Sequence, residues 1–103
     1  MAGIWERVRG NSDVRLNVSL LETELTGVAL GVRTRAEART SLEAEMGQPL
    51  VGDEITDLTA LADQFEAGNI QAKLVYIHKV KFALNAAELE LIDEATFRSV
   101  LAI

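Results

Sequence analysis

The stretch IQAKLVYIHKVKFALNAAELEL, residues 70–91, decides the fold. Apolar residues recur in it every seven positions, at Ile70, Ile77, Leu84 and Leu91. This spacing places them along one face of an α-helix, whereas a strand would not bring them to one side. A helix of that length spans about 33 Å, comparable to the diameter of a small domain, so we expect it to be the central element.

A second apolar row runs beside the first and contains Val75, Phe82 and Leu89. The helix is therefore apolar in two directions, and a chain of 103 residues has few other helices with which to cover it. Exposed apolar patches generally mark interaction sites. We predict that Val75, Phe82 and Leu89 contact a protein partner, together with Lys79 and Lys81.

The sequence before residue 70 predicts three more helices. The first follows Ser12 or Asp13 as N-cap, because apolar residues from Val18 to Val32 alternate three and four positions apart. The second begins with the capping-box pair Thr34 and Glu37 and ends at Gly47. In the third, Asp53 is the expected N-cap and Gly68 with Asn69 the stop, and after residue 91 Asp93 is expected to cap a short last helix.

These elements predict an all-α fold. We expect residues 13–103 to form a single domain, a compact bundle of four to five helices around the long helix. Residues 1–12 are predicted to form an N-terminal arm. A lone Trp in such an arm has two alternatives, since it either folds back onto the core or docks into another protein. We therefore include Ile4, Trp5 and Val8 among the candidate partner-binding residues.

Composition excludes several functions. The chain has no cysteine, which removes disulfides, thiolate nucleophiles and Cys-based metal sites. Its net charge of −6 repels phosphate, so we expect no nucleic-acid partner. No apolar run is long enough to cross a membrane and the N-terminus lacks the pattern of a signal peptide, so neither membrane insertion nor secretion by a signal peptide is expected.

Catalytic and metal sites find no support either. His78 is the only histidine, and no Ser, Asp or Glu lies three or four positions from it, so we interpret it as a surface or interface residue. Five acids and no base occupy residues 53–66, which predicts a solvated acidic face or one that meets Lys73, Lys79 and Lys81. No phosphate-binding or nucleophile motif occurs, and we expect no enzyme activity, cofactor, metal or small-molecule substrate.

A sequence pattern in residues 61–103, about two-fifths of the chain, consists of Lys73 to Tyr76, Ala87 with Glu88, Leu91 to Asp93, and Phe97 with Arg98. In these residues the stretch resembles the C-terminal portion of small helical proteins encoded beside the structural genes of tailed bacteriophages. It implies an accessory or assembly role in a virion, with no catalytic residues.

The sequence therefore predicts a non-enzymatic protein that works by protein–protein contact, as a homo-oligomer or repeated subunit in the tail, baseplate or head–tail region of a phage particle. It would reside in the virion or in the cytoplasm of the bacterial host. The alternative is an acidic helical inhibitor of a host nucleic-acid-binding complex. Finding many copies of the protein in purified particles would favour the first prediction. Finding that it binds a basic host target and is absent from particles would favour the second.

Overall fold

The computed structural model describes residues 3–10 and 14–103 of the chain. Every regular element within those ranges is an α-helix, which confirms the predicted all-α fold. The helices are α1 (Ile4–Arg9), α2 (Val18–Ala29), α3 (Arg35–Met46), α4 (Gly52–Ala67), α5 (Ile70–Glu88) and α6 (Glu94–Leu101). The six described helices exceed the predicted four to five because the segment predicted as an arm contains α1.

Helix α5 is the central element, as the sequence predicts. It contacts α1, α2, α4 and α6, and its 19 residues are about 28 Å long in a molecule that measures 36 × 28 × 21 Å. Its inward side chains are small or branched, which lets the surrounding helices approach closely. The buried residues of α5 are Val80, Ala83, Leu84, Ala86 and Ala87.

Helix α1 lies inside the core. Its Ile4, Trp5 and Val8 side chains are 0%, 6% and 0% exposed. The Trp5 ring centroid is 5.2 Å from that of Phe97, so the aromatic ring is already covered by α6. We therefore correct the prediction that Ile4, Trp5 and Val8 bind a partner, because the fold itself occupies these side chains. Residues 1–2 and 11–12 of the predicted arm lie outside the described residues.

Helix α2 begins later than predicted. Its first residue is Val18, and the Asn17 side chain accepts a hydrogen bond from the Leu20 N–H at 3.1 Å. The predicted caps, Ser12 and Asp13, lie outside the described residues. Leu16 belongs to an extended segment, is fully buried, and donates its N–H to the Arg7 carbonyl at 3.2 Å. The alternation of apolar and polar residues before position 18 therefore indicates this segment rather than a first helical turn.

Four of the predicted helix boundaries are confirmed, including the stop at Gly68, which follows the last residue of α4. The Thr34 hydroxyl accepts from the Glu37 N–H and the Glu37 carboxylate accepts from the Thr34 N–H, at 3.1 and 2.9 Å. Gly47 ends α3 with a left-handed φ of 73°, and the Asp93 carboxylate accepts from the Thr96 N–H at 2.8 Å.

Two helix ends differ from prediction. Asp53 is not the N-cap of α4, because the helix starts at Gly52 and Val51 occupies the cap position. The Val51 N–H donates to the Glu54 carboxylate at 2.9 Å. Helix α5 ends at Glu88 rather than Leu91, because Glu90 has a φ of 60° and the Leu91 N–H turns back to the Ala86 carbonyl at 2.8 Å. This closing turn satisfies a carbonyl at the helix end.

Candidate protein-interaction surface

The side of α5 that faces away from the bundle is apolar. Val75, Phe82 and Leu89 are 55%, 58% and 67% exposed and are spaced seven residues apart, so they lie on one side of α5, with Leu89 in the cap position directly after its last residue. We call this side the outer face; it consists of Leu74, Val75, His78, Lys79, Lys81, Phe82 and Leu89. All seven residues are exposed. The second apolar row predicted from the sequence therefore remains uncovered by the chain's own fold.

The uncovered surface is widest in the first half of α5. Every buried residue of the helix lies between Val80 and Ala87, and the turns before Val80 have none. Ile70 is therefore exposed as well, although the sequence places it on the same helical face as the buried Leu84. The predicted apolar row is therefore buried only in the part of α5 from Val80 to Ala87.

The lysines of α5 are unpaired. In residues 3–10 and 14–103, Lys73, Lys79 and Lys81 take part in no ion pair, whereas all seven arginines do. No acid occurs between Ile70 and Ala87. The outer face is therefore a basic and apolar surface on a protein that is acidic overall.

Two of the five acids in residues 53–66 lie elsewhere than predicted. Glu54 and Asp57 are buried rather than solvated, and the predicted contact with the α5 lysines does not form within the molecule. Glu54 accepts from Arg7, whose Nη2 lies 3.3 Å from Oε1, and the Arg7 Nη1 donates to the Val14 carbonyl at 3.2 Å. Because buried charges require partners, these pairs join α1 to α4.

Asp57 holds two other elements. One of its carboxylate oxygens accepts the Ile4 N–H at 3.0 Å, at the start of α1. Both oxygens accept from Arg98 of α6, each at 3.2 Å. Gly3 makes this approach possible, because a Cβ there would lie 1.9 Å from the Asp57 oxygen. The carboxylate therefore links α1, α4 and α6.

The exposed end of α4 is also neutralised. Arg35 donates to Asp63 at 2.7 Å and to Glu66 at 2.8 Å, which ties the start of α3 to the end of α4. These two carboxylates raise the pKa of Arg35 above its ordinary value, chiefly through the hydrogen bonds to Glu66 and Asp63. Four acids of α4 thus have arginine partners from three other helices.

A groove of about 260 Å³ lies between α3 and α4, with α2 as its floor. Leu25, Leu42 and Leu58 line it, and Arg35 and Arg39 stand among its polar residues. Arg39 is paired with Glu43 at 3.3 Å. Since both arginines already have carboxylate partners, the groove offers an apolar floor without an unpaired cation.

Tyr76 fixes α5 against the two elements beside it. Its ring meets Phe65 of α4 edge-on, with centroids 4.9 Å apart, and its hydroxyl donates to the Leu101 carbonyl of α6. Burial raises the pKa of Tyr76 to about 12. The sequence analysis did not predict that Tyr76 joins α5 to α4 and α6. Its position next to Ile77, on the apolar face of the helix, was the signal that could have indicated this contact.

His78 is exposed on the outer face, where the sequence places it. Within the described ranges, no three His, Asp or Glu side chains are arranged to hold a metal ion. None of the helices described above has the length and hydropathy required to cross a bilayer.

No protein-family model matches this chain, and no significant match is found among curated proteins or among solved structures.

Proposed function

We propose that this chain is a non-enzymatic assembly protein and that the outer face of α5 is the surface which a protein partner covers. The observation that supports this proposal is the row of Val75, Phe82 and Leu89, each more than half exposed on one side of the central helix. Removing apolar surface from water contributes about 25 cal/mol per Å², so covering this row favours association. Large apolar patches on soluble domains typically serve binding.

The setting we propose is the particle of a tailed bacteriophage, in its tail, baseplate or head–tail region. The support is the resemblance of residues 61–103 to small helical proteins encoded beside phage structural genes. Two residues that carry part of that resemblance, Leu74 and Val75, are exposed and belong to the outer face. These two residues thus support both the surface and the setting.

The alternative, an acidic inhibitor of a host nucleic-acid-binding complex, draws support from the net charge of −6. Mimicry of nucleic acid requires acids that are free to meet a basic target. Glu54, Asp57, Asp63 and Glu66 are instead paired with arginines of the same chain. We therefore rank the inhibitor second.

The test introduces Phe82→Glu into the gene in its phage and counts copies of the protein in purified particles by quantitative mass spectrometry. We expect many copies with the native sequence and a loss of at least tenfold with Phe82→Glu. The matched control is Val32→Glu, which places the same charge at a residue that is 79% exposed and far from α5 in the chain. Absence of the native protein from particles, or equal incorporation of both variants, would contradict the proposal.

A further inference from the structure

We infer that the groove between α3 and α4 is a binding site for a small neutral molecule with an extended alkyl body. This inference goes beyond the proposed function, since it concerns a part of the molecule other than the outer face. Three features of the groove lead to it: the way in which its two sides are held apart, the chemistry of its lining, and the pairing of the charges at its rim.

The two sides of the groove are tied together at their ends. The sides are α3 and α4, and both helices pack on α2. At one end Arg35, the first residue of α3, donates to Asp63 and Glu66 near the end of α4. At the other end the Leu50 N–H, just before α4, donates to the Glu43 carboxylate of α3 at 2.8 Å. These hydrogen bonds hold the groove open, and ligand sites are usually formed in this way before the ligand binds.

The lining of the groove is aliphatic. Leu25, Leu42 and Leu50 form its inner part and are buried, and Ile55 and Leu58 of α4 form one partly buried wall. An aliphatic cavity of about 150 Å³ is enough to hold a molecule of the size of benzene. The groove has a volume of about 260 Å³, so it has room for a larger apolar ligand.

The groove is longer than it is wide. Its lining runs from Arg35 to Leu42 along α3 and from Ile55 to Ala62 along α4. Each of these ranges advances by seven residues, which is about 10.5 Å, or about two helical turns. An extended alkyl chain can contact both walls over this length, whereas a compact ring would leave part of the aliphatic lining in water.

The charges at the rim favour a neutral ligand. The charged residues of the lining are Arg35 and Arg39. Arg35 has two carboxylate partners, and Arg39 is paired with Glu43 at 3.3 Å. The hydrogen bond from the Leu50 N–H holds the pKa of Glu43 below its ordinary value, so this carboxylate stays charged beside Arg39. An anion would have to displace a carboxylate and a cation would meet the arginines, whereas a neutral ligand leaves every pair intact.

The same rim favours a small molecule over a docking protein. The ion pairs of Arg35 with Asp63 and Glu66 are exposed to solvent, as is Arg39. A protein that covered the groove would take these pairs out of water, and the desolvation of paired charges can exceed their attraction. A small ligand between α3 and α4 leaves the outer atoms of these side chains solvated.

The sequence analysis expects no small-molecule substrate, because no motif marks one. The groove has no motif either. Its apolar residues come from α2, α3, α4 and the link before α4, and each is typical of a core position in its own segment. Only the packing of the helices brings them together. The inference assigns binding to this groove and no reaction.

The first experiment titrates the methyl-labelled chain with octanol and follows the methyl signals by NMR. We expect saturable shifts at Leu25, Leu42 and Leu58, with a Kd on the order of 1 mM or below, as the affinity of small ligands allows. Val75 and Leu89 of the outer face are the internal control, because they offer exposed apolar surface without a groove. Saturable shifts confined to these two residues, or none in the groove up to the solubility limit of octanol, would overturn the inference.

The second experiment uses Ala36→Leu and Ala44→Leu as a matched pair. Both alanines are exposed residues of α3, but Ala36 lines the groove and Ala44 lies outside it. The larger side chain at position 36 should lower the affinity for octanol by about fivefold or more, because it occupies part of the site. Ala44→Leu should leave the affinity unchanged, and circular dichroism verifies that both variants fold. Equal affinities for the two variants would mean that octanol binds elsewhere and would overturn the inference.

The third experiment tests the charge of the ligand with octanol, octanoate and octylammonium, whose alkyl chains have the same length. We expect octanol to bind about threefold or more tightly than either ion, because the site offers no unpaired charge to replace their hydration. Tighter binding of octanoate, with an advantage that Arg39→Gln removes, would identify the ligand as an anion and overturn the neutral class. Phe82→Glu should leave all three affinities unchanged, so this inference and the proposed function can fail independently.

Discussion

Helices α4 and α5 follow one another in the chain and differ in how their charges are used. Four acids of α4 meet arginines from α1, α3 and α6, and two of those acids are buried. The lysines of α5 meet no acid within the described residues. The charges of α4 thus position other helices, whereas those of α5 remain available at the surface. The following predictions test this difference.

The largest effect is expected for Glu54→Ala, which leaves the buried Arg7 without its carboxylate. Breaking a buried ion pair from one side costs about 3–5 kcal/mol. The free energy of unfolding, measured by urea titration of Trp5 fluorescence, should fall by about that amount. The control is Asp63→Ala on the exposed end of the same helix, where we expect less than about 1 kcal/mol. If both variants lost a similar free energy of unfolding, burial would not explain a difference in strength between the two ion pairs. A double variant, Arg7→Met with Glu54→Leu, should recover most of the loss.

The second prediction compares the two sides of α5. Leu84→Ala removes a fully buried side chain and should lower the free energy of unfolding by about 2–5 kcal/mol. Phe82→Ala, measured in dilute solution where the chain is monomeric, should change it by less than about 1 kcal/mol, because the ring is mostly exposed. A large loss for Phe82→Ala would show that the outer face supports the fold and would weaken its assignment as an interface.

The third prediction concerns Tyr76, which joins α5 to α4 and α6. Tyr76→Phe removes the hydrogen bond to the Leu101 carbonyl and should cost roughly 0.5–1.5 kcal/mol near neutral pH. Thermal unfolding followed by circular dichroism measures this loss. A neutral result would mean that the hydroxyl is equally well solvated in the unfolded chain.

The same residue gives a pH dependence. Burial raises the pKa of Tyr76 from an ordinary 10.0 to about 12, so the folded chain keeps the phenolic proton after the unfolded chain has lost it. This contribution to stability is present below about pH 10 and is lost as the pH rises to about 12. Since Tyr76 is the only tyrosine, tyrosinate absorbance reports its titration directly. The loss of stability between these pH values should be smaller in Tyr76→Phe, whose lysines and arginines are unchanged.

The smallest effects are expected for exposed charges. Arg35→Ala should cost about 0–1 kcal/mol, and the loss should shrink in high salt, because its carboxylate partners are exposed to solvent. Lys79→Ala should stay within about 0.5 kcal/mol of the native free energy of unfolding. If Lys79→Ala cost as much as Arg35→Ala at low salt, the lysines of α5 would take part in the fold, and the contrast with α4 would be lost.

The sequence predicted the features that depend on local chemistry. Thr34 with Glu37, Gly47 and Asp93 act as expected because a cap uses residues within one turn. The period of seven in α5 predicted both a buried row and an exposed one. The limits of the buried row could not be predicted, because they depend on which part of α5 the other helices cover.

Long-range charge pairs were not predictable in the same way. Glu54 and Asp57 read as solvated acids because their partners, Arg7 and Arg98, lie about forty or more residues away in the chain. The burial of Trp5 has the same origin, since its neighbour Phe97 is in the last helix. Helical periodicity gives the face on which a residue lies but not the helix that meets that face.

The dependence of α1 on α4 has a consequence for biosynthesis. A helix of six residues is too short to persist by itself in water, and the carboxylates that hold α1 belong to residues 54 and 57. During synthesis on the ribosome, the segment that carries Trp5 is therefore expected to form α1 only after α4 has emerged from the exit tunnel. Indole fluorescence of stalled nascent chains of increasing length would show when that first long-range docking takes place.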